Sequence, residues 1–209
     1  MLYIIIVKVV ILKKYLLNYC EKIIRKNRNN ISDDELEVIM YGLEGIYLTI
    51  TKLVIIFLLA WLLGIFKEML LTLIFYNILR VFAFGLHASK SWHCLLISSS
   101  FFLLGPFLGM IFDINYYFKI GCVVILIILV MIYAPADTEK RPLINPKKRL
   151  KWKILSVIVA VILSVCIIIF DQYKLSNYMF IGYIEAVSMI LPITYKLFGL
   201  PYNNYKTYK

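Results

Sequence analysis

Charged residues are scarce in this sequence, and their scarcity argues against a soluble globular protein. Only 17% of the 209 residues are Asp, Glu, Lys or Arg, whereas an average soluble domain contains about 25%. Apolar residues take their place. They make up 62% of the chain and give a mean hydropathy of +0.85. This composition predicts a polytopic membrane protein whose length suits one compact helical bundle.

Metal-binding and disulfide signatures are also missing. The four cysteines have no Cys-x-x-Cys spacing and no Cys/His ligand spacing, so we expect neither a metal site nor any other cofactor. The net charge of +11 comes without a nucleic-acid-binding motif, and we expect no nucleic acid as a partner. In a membrane protein, Lys and Arg first report orientation and contact with anionic headgroups of the lipid bilayer.

Six apolar segments of about bilayer length predict an all-α transmembrane bundle. They cover approximately residues 41–63, 66–84, 92–112, 116–134, 152–170 and 178–198. Residues 1–19 are apolar but interrupted by lysines, which predicts an interfacial amphipathic helix rather than a span or a signal peptide. Ser-Asp-Asp-Glu at 32–35 predicts a capping box that begins a helix. We therefore expect one integral membrane domain, 1–209, with an interfacial region (1–40), six spans (41–198) and a tail (199–209).

The distribution of basic residues predicts one orientation of these spans. Seven cations lie within residues 8–28 and seven within residues 140–153, and four predicted spans separate the two groups. The three turns on the opposite side contain only Lys67, Lys119 and Lys174. By the positive-inside rule, both basic groups, the tail and the polar segment 80–94 are expected at the cytoplasmic surface.

Residues 80–94 interrupt the apolar pattern between the second and third predicted spans. They read Arg-Val-Phe-Ala-Phe-Gly-Leu-His-Ala-Ser-Lys-Ser-Trp-His-Cys. This places His87 close to Cys94, and an imidazole that accepts a thiol proton produces a thiolate nucleophile. The competing interpretation is that Cys94 is a small buried hydrophobe, which is the commoner role of a lone cysteine in an apolar chain.

A regular helix cannot bring His87 and Cys94 together. Seven helical residues separate two positions by ~10.5 Å along the axis, and helical side chains lean toward the amino terminus, so His87 would lean away from Cys94. If the dyad forms, the chain must unwind between them. We expect the second span to end near residues 84–86 and a new helix to begin between residues 88 and 91, because glycine and serine permit such a break.

Three neighbours are candidates for binding the substrate or an oxyanion. Ser91 as an N-cap would place Cys94 in the first turn of the third span, where the helix dipole and free amides favour anions. Arg80 and Gly85 are the other two candidates in this segment.

Lys52 and Glu185 lie within predicted spans, where ionisable groups are rare. For these two we favour a structural pair over a contact with substrate. The remaining cysteines, Cys20, Cys122 and Cys166, are expected to have no catalytic role.

Three stretches carry recognisable motifs. They are Phe-Gly-Leu-His-Ala-Ser-Lys-Ser-Trp-His-Cys at 84–94, Tyr-Ala-Pro-Ala-Asp-Thr-Glu-Lys-Arg-Pro at 133–142, and Glu-Ala-Val-Ser-Met-Ile-Leu-Pro at 185–192. Together they resemble the accessory gene regulator protein B (AgrB) family, over most of the chain and with a specific Gly-x-His-Ala…Cys spacing. The resemblance implies Cys94 as nucleophile and His87 as its base. The family often has a second Gly or an Ala before its histidine, where this chain has Leu86.

The resemblance implies a cysteine endopeptidase in the cell membrane of a Gram-positive bacterium. Its substrate would be an AgrD-like autoinducing-peptide precursor, cleaved through a thioester and cyclised to a thiolactone or lactone. The resemblance also favours a homodimer. Two other functions stay open: a peptide transporter or exporter, which would keep its function in Cys94→Ser, and a membrane scaffold, which would tolerate Ala at both positions of the dyad.

Overall fold

The computed structural model describes residues 2–28, 31–86, 97–138 and 142–208, and these ranges are mainly helical. The predicted all-α class is thereby confirmed. The elements are α1 (Leu2–Asn27), α2 (Asp33–Leu62), α3 (Phe66–Ala83), α4 (Ile97–Ile111), α5 (Tyr116–Tyr133), α6 (Pro146–Ile169), α7 (Leu175–Ser188), α8 (Pro192–Leu197) and a 3-10 helix (Asn204–Tyr208).

Helices α2, α5 and α6 are long and apolar enough to cross a membrane, while the full count of six spans stays a prediction. Helix α2 begins at the predicted capping box. The Glu35 amide donates to the Ser32 hydroxyl at 3.2 Å, and the Ser32 amide donates to the Glu35 carboxylate at 3.4 Å. Two amide donors at the helix start are thus satisfied.

The predicted sixth span, 178–198, is not one continuous helix. Helix α7 ends at Ser188, and α8 begins at Pro192 after Leu191 adopts an extended conformation (φ −74°, ψ 139°). Proline has no N–H to donate and disfavours the helical conformation of the residue before it. The apolar segment 178–198 is therefore divided between α7 and α8, and its count as a sixth span stays a prediction. The break leaves the Met189 carbonyl available to another segment.

The chain packs as two compact units, Met1–Ile55 and Ile56–Lys209. In the first unit, ion pairs join α1 to the start of α2: Lys13 pairs with Glu44, and Arg25 pairs with Asp33 at 3.2 Å. The later residue of α1 pairs with the earlier residue of α2, which shows that the two helices run antiparallel. The Lys13 ammonium, expected to reach lipid headgroups, thus contacts a carboxylate. The interfacial position of α1 and the single-domain organisation stay predictions.

Small residues allow the helices of the second unit to pack closely. A Cβ at Gly182 of α7 would lie 2.6 Å from the Thr72 carbonyl oxygen and 2.9 Å from the Tyr76 amide nitrogen of α3. Gly105 and Gly109 of α4 similarly face α7. Such close approach lets dispersion contacts and helix packing replace the hydrophobic effect inside a bilayer. The core between α3, α5, α6 and α7 includes Leu79, Val130, Ala160, Ile167, Phe180 and Tyr183.

A buried ion pair joins three helix ends of this unit. The Lys119 ammonium at the start of α5 is 1% exposed and donates to Asp171 at 2.7 Å and to the Ser176 hydroxyl at 3.0 Å. The Ser176 hydroxyl in turn donates to the Ile167 carbonyl at 2.8 Å. The start of α5, the end of α6 and the start of α7 therefore meet, as helices that run in alternating directions require.

We expect the two halves of this ion pair to differ in their effect on stability. Asp171→Ala leaves the Lys119 charge buried without its partner, so the free energy of unfolding should fall by about 3–5 kcal/mol. Lys119→Met removes the buried charge and leaves Asp171, whose side chain is 26% exposed and can be solvated. Melting temperatures in mild detergent should fall more for Asp171→Ala, and the reverse order would contradict this account.

Candidate active site

Helix α3 ends close to where the sequence predicted. Its last residue is Ala83, after which Phe84 (φ +56°) and Gly85 (φ +115°) turn the chain away from the helix axis. The predicted end near residues 84–86 is confirmed. His87, Ser91 and Cys94 lie outside the described residues, so the geometry of the dyad and the start of the next helix stay predictions.

Gly85 is needed both for its conformation and for its lack of a side chain. A φ of +115° is rarely adopted by residues with a Cβ. A Cβ would also lie 2.1 Å from Nη1 of Arg80 and 2.7 Å from the Met189 carbonyl oxygen. The Gly85 amide donates to the Ala136 carbonyl at 2.9 Å. This donor is engaged by the Ala136 carbonyl, so Gly85 shapes the path of the chain here, and its predicted role toward an oxyanion stays a prediction.

Arg80 holds the same turn from the last turn of α3. Its guanidinium donates to the Phe84 carbonyl through Nη1 and to the Leu86 carbonyl at 2.9 Å through Nη2, and it lies 5.6 Å from the centre of the Tyr76 ring. A cation near a helix carboxyl end stabilises carbonyls that lack helical partners. The contacts make Arg80 a residue that shapes the segment leading to His87. They leave the predicted role in substrate binding untested.

Three backbone segments meet at this point, and we call them the junction: residues 83–86, 134–137 and 189–191. The Ala136 amide donates to the Ala83 carbonyl at 3.0 Å, which with the Gly85 bond to Ala136 forms a short parallel pairing. The Leu86 amide donates to the Met189 carbonyl at 3.0 Å. The residue directly before His87 is thus fixed by hydrogen bonds.

Asp137 connects the junction to the carboxy-terminal tail. Its side chain is 2% exposed and accepts from the backbone amides of Leu143 (3.2 Å), Asn204 (3.1 Å) and Tyr205 (2.8 Å). Its carbonyl accepts from the Tyr195 hydroxyl at 3.0 Å and from the Asn204 side chain at 3.4 Å. Burial of a carboxylate is tolerable when amides replace its water.

Aromatic and cationic side chains also pack the carboxy-terminal tail against the helices near Asp137. The Tyr195 and Tyr202 rings meet edge to face at 5.0 Å, and the Arg149 guanidinium lies 3.4 Å from the centre of the Tyr205 ring. Burial raises the pKa of Tyr202 to about 12. These contacts hold residues 202–205 close to α6 and α8.

Glu185 lies in α7 beside the glycine-rich face of α4. Its side chain is largely buried, and in the described part of the chain its Oε2 has no hydrogen-bond partner. Its Oε1 lies so close to Gly105 that a Cβ there would collide with it. Lys52 belongs to the first unit, so the pairing predicted for it with Glu185 stays a prediction.

The described cysteines, Cys20, Cys122 and Cys166, are free thiols of intermediate burial. Among the residues that the structure describes, no three His, Cys, Asp or Glu side chains cluster to hold a metal ion. That these three thiols have no catalytic role stays a prediction, which their replacement would test.

Sequence reasoning missed Asp137, Tyr195 and Asn204. One signal was available for Asp137, since it is an acid directly after an apolar Ala-Pro-Ala run at the start of a basic loop. An acid there calls for a specific partner. Nothing in the pattern joined this loop to residues 204–205, because those contacts span more than 65 positions of the chain.

Comparison with known proteins decides the family. Residues 17–193 match the family described as Accessory gene regulator B. The chain belongs to the accessory gene regulator B (AgrB) family. All three stretches that resembled this family, 84–94, 133–142 and 185–192, lie within the matched range. The resemblance inferred from the motifs is therefore confirmed, and membership implies a role in the accessory gene regulator system.

Named relatives of this AgrB-family chain match it over most of their length. It is 38% identical to an AgrB-like protein of Clostridium acetobutylicum over 172 residues, 82% of each chain. It is 31% identical to an AgrB-like protein of Listeria innocua, covering 90% of this chain and 92% of the relative. It is 30% identical to the accessory gene regulator protein B of Staphylococcus aureus, covering 81% and 90%. No solved structure matches the chain.

Proposed function

We propose that this protein is a membrane-embedded cysteine endopeptidase that processes the precursor of a cyclic quorum-sensing peptide. Cys94 is the nucleophile and His87 its general base. The substrate is a short AgrD-like propeptide, and the site opens toward the cytoplasm of a Gram-positive bacterium. Membership of the AgrB family and the His87…Cys94 motif carry this proposal.

The observation that supports the dyad most is the end of α3 at Ala83. A helix continuing through His87 to Cys94 would hold the two side chains ~10.5 Å apart along its axis, too far for proton transfer. Helix α3 stops at Ala83 and the following turn is fixed to two other segments, so α3 itself does not continue toward Cys94. This satisfies one geometric condition for the dyad.

The proposed reaction starts with transfer of the Cys94 thiol proton to His87. The thiolate attacks the carbonyl carbon at the cleavage site, and we assign stabilisation of the oxyanion to backbone amides at the predicted start of the following helix. The C–N bond then breaks, and His87 gives its proton to the leaving amine of the tail. The peptide remains attached to Cys94 as a thioester.

Ring closure completes the reaction. A thiol or hydroxyl within the bound peptide loses its proton to His87 and attacks the thioester, releasing Cys94 and forming a thiolactone or lactone. When the attacking group is a thiol, one thioester replaces another, so the step needs removal of the tail or product to proceed. A water-poor site at the membrane edge would protect the thioester from hydrolysis.

Co-expression with an AgrD-like propeptide tests this function. We expect mass spectrometry to detect a free carboxy-terminal tail and an amino-terminal product lighter than the linear fragment by one water. A transporter would instead deliver unprocessed precursor outside the cell, and a scaffold would leave the precursor intact. Either of these results would overturn the endopeptidase proposal.

A further inference from the structure

The carboxylate of Asp137 is held entirely by backbone amides in the part of the chain that the structure describes. Those amides belong to Leu143 on one side and to Asn204 and Tyr205 of the tail on the other. Two of the three donors therefore come from the last six residues of the chain. Hydrogen bonds to a charged acceptor are short and strong in a buried setting, so the tail fixes the position of this loop residue.

Asp137 is also one residue from the pairing that fixes the end of α3. Ala136 both donates to Ala83 and accepts from Gly85, and a peptide plane allows little independent movement between neighbouring residues. A displacement of Asp137 is therefore passed to residues 83–85. His87 follows two residues after Gly85.

The second anchor of the segment leads back to the same residue. Leu86 donates to the Met189 carbonyl, and the chain continues from Met189 through α8 to Tyr195, whose hydroxyl donates to the Asp137 carbonyl. Both backbone partners of the segment before His87 are thus tied to Asp137. The amides of residues 204 and 205 bind the Asp137 carboxylate and so add the tail to this set of contacts.

We propose that Asp137 is a positioning residue for His87, and that residues 204–205 of the tail set that position by binding its carboxylate. This inference rests on the proposed function. Because the described partners of its carboxylate are backbone amides of Leu143, Asn204 and Tyr205, we assign Asp137 a positioning role and no contact with the reacting atoms. Its effect is on the distance between imidazole and thiol, where a shift of about 1 Å costs on the order of 10²-fold in rate.

Two truncations that differ by three residues isolate the tail contact. A chain ending at Asn203 loses both amide donors to Asp137, whereas a chain ending at Lys206 keeps them. Each is prepared in membranes with Cys20, Cys122 and Cys166 replaced, so that Cys94 is the one thiol left. The measurements are the rate of Cys94 alkylation by iodoacetamide as a function of pH, and the rate of propeptide cleavage.

We expect the chain ending at Lys206 to match the full chain. The chain ending at Asn203 and the variant Asp137→Ala should cleave on the order of 10²-fold more slowly. Their Cys94 should titrate nearer the pKa of ~8.5 of a free cysteine, because the thiolate has lost its imidazolium partner. Asp171→Ala serves as a control for general destabilisation, since it should lower the melting temperature without changing this titration.

The inference is overturned if both truncations behave alike, or if the shorter one loses activity while its Cys94 titration is unchanged. His87→Ala separates this failure from failure of the proposed function. If His87→Ala alters the titration and abolishes cleavage while the truncations do not differ, only the role of the tail is wrong. If His87→Ala changes neither, the dyad itself is wrong.

Discussion

Cys94→Ala and His87→Ala should each abolish cleavage of the propeptide while the protein still accumulates in the membrane. Loss of a nucleophile or of its general base removes the covalent route altogether, and such changes cost on the order of 10⁴ or more in rate. The two losses should not add in the double variant, because both residues serve the same step. The measurement is the amount of free tail released, by mass spectrometry, at matched protein levels.

The other thiols provide the control for this result. Replacing Cys20, Cys122 and Cys166 together should leave most of the activity, since each lies in a helix outside the segment that contains His87 and Cys94. Cys94→Ser discriminates against a transporter, which would keep its function with a hydroxyl of similar shape. An active Cys94→Ala protein would return the chain to the transporter or scaffold interpretation.

Features of the fold that depend on neighbouring residues could be predicted from the sequence. Ser32 and Glu35 are three positions apart, and their side chains and amides satisfy each other at the start of α2. The end of α3 followed from the separation of His87 and Cys94, together with the freedom of Gly85 to adopt a positive φ. In both cases the physics acts within one or two helical turns.

The junction could not be predicted because its contacts join positions far apart in the chain. Ala136 meets Ala83, and Asn204 meets Asp137, yet no periodicity in either segment indicates the other. The break before Pro192 had a local signal in proline, but its apolar surroundings indicated one continuous span. The break leaves the Met189 carbonyl without a helical donor, and it accepts from the Leu86 amide instead. That contact depends on the packing of α7 on α3, which the sequence does not indicate.

The structural roles of Arg80 and Gly85 could not be predicted for a related reason. A cation and a glycine beside a catalytic motif are consistent with binding an oxyanion, and nothing local indicates otherwise. In the structure, Arg80 donates to the carbonyls of Phe84 and Leu86, and the Gly85 amide donates to the carbonyl of Ala136. Long-range contacts thus give both residues a structural role in the backbone before His87, while their predicted roles toward the substrate stay predictions.

Gly85→Ala should reduce propeptide cleavage on the order of 10²-fold or more, the second large effect that we expect. The alanine would have to adopt the φ of +115° that Gly85 has, and such backbone strain costs about 1–3 kcal/mol. It would also meet the Met189 carbonyl oxygen at 2.7 Å, which is backbone and cannot turn aside. The segment must shift, and a shift of about 1 Å at His87 is enough for the predicted loss.

Gly199→Ala is the matched control for this change. Gly199 also has a positive φ, +62°, but a Cβ there would meet no atom within 4 Å, so it carries backbone strain without the collision. Both variants should lower the melting temperature, and only Gly85→Ala should lose cleavage and shift the alkylation of Cys94 toward that of a free thiol. Equal activity in the two variants would mean that the junction tolerates a displaced segment. In that case the conformation of residues 83–86 would not determine the position of the His87 imidazole relative to the Cys94 thiol.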